Sequence, residues 1–129
     1  MIQKYRAWDI MNKEMFKDTF AITESGQVVV VEQDSIASPP DYIFVDHLVI
    51  MQSTGLKDKN GKEIFEGDIL GIETDTGIVY VNVYWDSKHA LFMIKSEEHS
   101  GEEALAEIFE DYTYPFMVVG NVLEESNNG

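Results

Sequence analysis

Short apolar runs alternate with polar turn signals along this chain, and helical spacing occurs in only one place. Ile2–Trp8 reads as a strand, Asp9–Lys13 as a turn, and Glu14–Phe16 and Phe20–Thr23 as two short strands that pair. The β-branched run Val28–Val31, inside Gln27–Glu32, suits a strand buried on both faces. Gln33–Asp41 is a loop stiffened by Pro39-Pro40, and it is the best internal boundary. Tyr42–Gln52 is apolar enough for a strand, or for a helical turn leading into one, and Ser53–Leu56 turns. Asn60-Gly61 carries the signature of a type I′ turn. Ile69–Glu73, Ile78–Trp85 and Ala90–Ile94, separated by Asp75-Thr76-Gly77 and Asp86–His89, form a meander of two hairpins.

The exception lies at 101–111. Ser100 and Glu103 stand at capping-box spacing, and Leu105, Ile108, Phe109 and Tyr112 recur at helical intervals, which predicts a short amphipathic helix. Phe116–Val122 is a last strand. The expected fold is mainly β, or β-rich α+β. It comprises an SH3-like small barrel in the C-terminal half, a smaller β-rich N-terminal unit and one short helix. The expected division is 1–41, 42–123 and a polar tail at 124–129, with a single compact domain as the alternative.

Charge changes the functional picture more than composition does. Nine basic residues face 24 acidic ones over 129 positions, a net charge of −15. Binding to nucleic acid or to an anionic membrane is therefore not expected, because both need clustered Lys and Arg. The 44% hydrophobic share is ample for a core. With no cysteine, disulfides, thiolate metal sites and cysteine nucleophiles are excluded. MIQKYRAWDI has no signal-like apolar stretch and no window reaches membrane-span length, so the expected location is the cytoplasm.

Three segments carry a family resemblance: Tyr5-Arg6-Ala7-Trp8-Asp9; the block from Met51 to Ile69, with Ser53-Thr54-Gly55-Leu56-Lys57-Asp58-Lys59-Asn60-Gly61-Lys62 and Glu66-Gly67-Asp68; and Val118-Val119-Gly120-Asn121-Val122-Leu123-Glu124. In order and spacing they resemble the YopX family of phage and prophage proteins from Gram-positive bacteria. The resemblance spans nearly the whole chain. It implies a phage or prophage origin, a bacterial host cell and an SH3-type barrel, and it carries over no catalytic residue. Ser53 departs from the family's pattern, which more often has an aromatic there.

Read physically, Gly55, Asn60, Gly61, Gly67 and Asp68 form a structural turn motif, with Asp68 placed to accept backbone N–H groups at a corner. Asp58 and Asn60 open an EF-hand-like pattern that fails, because Lys62 and Glu63 stand at its fifth and sixth positions. His47, His89 and His99 show no metal-ligand spacing. No catalytic, cofactor or metal site is assigned. Asp68, Asp75 and Asp86 are the only carboxylates singled out for a shared barrel rim, where they could hold a divalent cation for hydrolysis. On Ile78–Trp85, alternation puts Val79, Val81 and Val83 on one face and Tyr80 and Tyr84 on the other. Tyr80, Tyr84, Tyr112 and Tyr114 are the candidate interaction surface. The expected function is a non-enzymatic protein–protein interaction module, self-associating and engaging a basic surface on a host or phage protein. The alternatives are the metal-dependent hydrolase and a purely structural or assembly protein.

Overall fold

A computed structural model of the chain describes residues 3–96, 98, 101–110 and 115–124. In order, the elements are β1 (Tyr5–Asp9), β2 (Glu14–Met15), β3 (Phe20–Ile22), β4 (Val28–Glu32), β5 (Asp41–Phe44), β6 (Leu48–Lys57), β7 (Glu63–Phe65), β8 (Asp68–Thr74), β9 (Gly77–Asp86), β10 (Leu91–Lys95), β11 (Glu102–Ala104), α1 (Leu105–Glu110) and β12 (Phe116–Asn121). The chain is mainly β. It divides into a smaller unit, Ala7–Ile50, and a larger unit, Met1–Arg6 with Met51–Gly129. Both boundaries fall inside strands, β1 and β6. The Pro39-Pro40 loop is therefore not where the units divide. Asp41–Phe44 pairs with Val29–Glu32 and belongs with the residues before the loop.

The larger unit is built on an antiparallel sheet of order β11-β10-β9-β8-β12. Alternation on β9 sets its two faces. Val79, Val81 and Val83 align with Ile72, Leu70 and Ile94 on the neighbouring strands. These side chains join Ile64, Leu105 and Phe116 in one core. Phe109 packs edge-on against Phe116, with ring centroids 4.8 Å apart.

Helix α1 begins at Leu105, later than the spacing of Ser100 and Glu103 predicts. Glu102–Ala104 is spent on pairing with Met93–Lys95, so Glu103 lies opposite Ile94 in a sheet and caps no helix. Ser100 and Tyr112 lie outside the described residues.

Two local readings also change. Ser53–Leu56 is not a turn: β6 runs through it, paired with β7 at Ser53↔Phe65 and Lys57↔Glu63 with a register shift between the two, and Gly55 there has φ 80°. Gly61 takes φ 81°, but Asn60 has no positive φ, so the turn is not type I′. Asp58 shapes it instead. Its Oδ1 accepts the N–H groups of Asn60 (2.9 Å) and Lys62 (2.8 Å), and Gly61 N–H donates to its carbonyl at 3.0 Å.

In the smaller unit, β2 pairs with β1, through Trp8↔Met15 and Asp9↔Glu14. The expected pairing of the two short strands does not form, because β3 pairs with β4. A three-stranded sheet of this unit has the order β3-β4-β5. On β4 only Val29 is buried, at 5% exposure, and Val28, Val30 and Val31 are half-covered. This strand is not enclosed on both faces.

Candidate functional site

A concavity of the smaller unit brings apolar and charged side chains together. An open cleft of about 840 Å³ has Phe16, Val30, Ile43 and Val45 on its apolar side, and Asp9, Asp18, Glu32, Asp34, Lys17 and His47 as its ionisable members. Sheet register explains the apolar side. Val30 lies opposite Ile43, so the two side chains share a face of the β3-β4-β5 sheet. Asp41 and Glu32 are also opposite one another and lie on that same face. Over residues 7–50 eight carboxylates face two lysines, a net charge of −6.

Asp9 is committed to structure. Buried to 4% exposure, its Oδ1 accepts the N–H groups of Met11 (2.9 Å) and Asn12 (3.1 Å), and its Oδ2 accepts Asn12 Nδ2–H at 2.8 Å. The Asn12 N–H, helped by the Asn12 amide and Met11 N–H and by nearby His47, outweighs burial and holds the carboxyl below its ordinary value. Asp9 thus keeps a fixed negative charge at the cleft wall. Asp18, Glu32 and Asp34 are exposed, and they supply its accessible charge.

One edge of the cleft is strand β5, all four residues of which are exposed. Tyr42 (63%) and Phe44 (65%) are among the most exposed large hydrophobic residues in the chain. Pro39-Pro40 directly before this strand was the available sequence signal, since proline beside a short apolar run marks an edge. The apolar length of Tyr42–Gln52 hid it. That stretch is two strands, broken at residues 45–47.

The sequence-derived candidates fall elsewhere. Tyr80 is half-exposed (53%) on the outer face of the larger unit. With Ile78 (55%) and Val119 (50%) it surrounds Gly71, where an added Cβ would meet all three at 3.3–3.6 Å. Tyr84 is different. Its hydroxyl is buried with no hydrogen-bond partner among the described residues. Burial, with the carboxylates of Glu102 and Asp86 nearby, pushes its pKa up to about 12, and Glu102 lies outside hydrogen-bonding geometry. Tyr112 and Tyr114 lie outside the described residues, as does His99.

Asp68 is 1% exposed and works at a corner. Its Oδ2 accepts Phe65 N–H at 2.8 Å, and its Oδ1 pairs with the Arg6 guanidinium, which also lies 4.6 Å over the Phe65 ring. Burial raises its pKa despite Phe65 N–H and Arg6. Gly67, at φ 88°, makes the corner possible.

Asp75 precedes the ten-residue strand β9 and Asp86 ends it, roughly 30 Å away along the strand. The structure does not bring Asp68, Asp75 and Asp86 to one rim. Asp86 instead holds its own turn, accepting the N–H groups of Lys88 (3.0 Å) and His89 (3.3 Å) and pairing with His89 Nδ1 at 2.7 Å. Among the described residues, no group of three or more His, Asp or Glu is placed to hold a metal ion. None of their helices is long and apolar enough to cross a membrane.

The family model described as YopX protein matches residues 4–128. The crystal structure of protein EF1440 from Enterococcus faecalis is similar at 27% identity and TM-score 0.60, covering 99% of this chain and 98% of that one. The crystal structure of protein yopX from Bacillus subtilis is similar at 16% identity and TM-score 0.62, covering 93% and 92%. No curated protein matches the chain.

Proposed function

The chain belongs to the YopX family, and from that premise we propose that it is a non-enzymatic protein–protein interaction module, phage- or prophage-encoded, that engages a basic surface of a host or phage protein in the cytoplasm. The observation that carries this reading is the cleft of the smaller unit. It joins an apolar side at Val30, Ile43 and Val45 to the accessible carboxylates Asp18, Glu32 and Asp34. Apolar contact supplies affinity, and like-charge rejection of acidic partners supplies specificity. The test is retention of partners on the tagged chain from host lysate, with and without phage infection, washed at low and moderate salt. A basic protein that survives moderate salt, and rebinds when purified, supports the reading. Loss of every retained protein at moderate salt contradicts it, because that is the behaviour of a nonspecific polyanion.

A second reading is self-association through the outer face of the larger unit. Ile78, Tyr80 and Val119 form a half-exposed apolar patch around Gly71 that favours it. Sedimentation equilibrium tests it: Tyr80→Lys should shift an oligomer toward monomer.

A further inference from the structure

Strand β5 presents an open edge whose backbone parity can be read from the ladder. Val45 N–H donates to the Val28 carbonyl at 3.1 Å, and across β4 Val31 N–H donates to the Thr19 carbonyl at 3.0 Å. In an antiparallel pair, hydrogen-bonded and non-hydrogen-bonded residue pairs alternate. Val28/Val45 and Val30/Ile43 are therefore the bonded pairs. The N–H and C=O groups of Tyr42 and Phe44 point the other way, off the sheet. β5 ends the order β3-β4-β5, and among the described residues nothing pairs with that side.

The two faces flanking this edge differ. Ile43 shares its face with Asp41 and Glu32 and opens onto the cleft with Asp18 and Asp34. Tyr42 and Phe44 occupy the opposite face.

We infer that β5 accepts an extended segment of a partner protein as an added strand, and that the segment alternates basic and apolar residues. Deepening the proposed function, this inference rests on the reading that the partner is basic. Tyr42 and Phe44 supply the main-chain donors and acceptors. Every second side chain of the added strand then falls on the cleft side. A Lys or Arg there lays its aliphatic stem along Ile43 and its charge among Asp41, Glu32 and Asp34. The intervening side chains fall on Tyr42 and Phe44 and are apolar.

A second copy of this chain is a poor occupant. It brings the same net −6 on residues 7–50 against itself. The three apolar side chains of β5 also fall well short of the roughly 800 Å² per partner that a stable interface buries.

The test uses the full chain labelled with ¹⁵N and three octapeptides: alternating Lys and Val; the same with Glu for Lys; and the Lys–Val peptide N-methylated on alternate amides. The Lys–Val peptide should shift the Tyr42 and Phe44 amide signals most and slow their hydrogen exchange by about tenfold or more at saturation. The Glu–Val and N-methylated peptides should do neither. Phe44→Pro removes an outward N–H and leaves the bonds of Ile43 to β4 in place, so it should weaken binding by about tenfold at unchanged melting temperature. If that variant does not fold, the N-methylated peptide makes the same point on the native chain. Binding that leaves the Tyr42 and Phe44 amides unmoved overturns the added strand and leaves the basic-partner reading standing. So does no binding of the Lys–Val peptide while a basic protein is still retained. Slow exchange at these two amides that rises with protein concentration, without peptide, also overturns it, in favour of a second copy. If neither the peptide nor any basic protein binds, the underlying reading fails with it.

Discussion

The Arg6 guanidinium and the Asp68 carboxylate form a largely buried ion pair across 62 residues of sequence, with side-chain exposures of 18% and 1%. The pair ties residue 6 to the Gly67-Asp68 corner of the larger unit. A buried charge left without its partner is far costlier than the intact pair is stabilising. Arg6→Ala should therefore lower stability by about 3 kcal/mol, read from urea unfolding. The sign of its pH dependence follows from Asp68. A carboxyl whose folded pKa is raised favours the protonated native state, so its contribution is present in acid and lost as pH rises. The Arg6→Ala deficit should be smallest in acid and grow as Asp68 ionises. A deficit independent of pH would contradict the assignment.

Asp58 makes the opposite case. It is 7% exposed, and burial works against its charge. The N–H groups of Val118, Lys62 and Asn60 outweigh that burial and hold its carboxyl below the ordinary 3.8. The Val118 bond, 2.9 Å to Oδ2, also joins this turn to β12. In Asp58→Asn the amide nitrogen would meet a donor on one side, and the loss should be about 1–3 kcal/mol at neutral pH. A lowered carboxyl contributes above its unfolded pKa and is lost as pH falls through its folded pKa. The gap between wild type and variant should therefore close below about pH 3.8. A gap that persisted there would show that the carboxylate charge is not what holds the turn.

Tyr84 yields a gain. A buried hydroxyl without a partner carries a desolvation cost that its removal relieves. Tyr84→Phe should leave the fold intact and raise stability by up to about 1 kcal/mol in thermal unfolding. A marked loss would mean that the hydroxyl is satisfied in solution.

What was legible in the sequence follows from what is local. Alternation on Val79, Val81 and Val83 placed the core face of β9, because a two-residue period holds along a strand that pairs without a register shift. The helix was half legible. Leu105, Ile108 and Phe109 kept their spacing, but pairing with β10 claimed Glu102–Ala104, and no local rule weighs a cap against a ladder. The cleft was not legible. Asp18, Glu32 and Asp34 come from separate segments, and Ile43 reaches Val30 only through strand pairing across residues 33–40. The apolar residues Tyr42 and Phe44 do not themselves mark an edge, because a short apolar run does not say which strand will end a sheet. Tyr80 and Tyr84 look equivalent by alternation, yet one presents its ring to solvent and the other buries its hydroxyl.

Whether the acidic cleft of the smaller unit holds a basic partner is decided by one comparison. The affinity of the purified partner for wild type and for the triple variant Asp18→Asn, Glu32→Gln, Asp34→Asn is measured across a salt series. Wild-type affinity should fall with salt, and the variant should bind about 100-fold more weakly at low salt with a flatter salt dependence, each lost contact being worth about 1 kcal/mol. Equal affinity and equal salt dependence for the two proteins would place the partner elsewhere than in the acidic cleft.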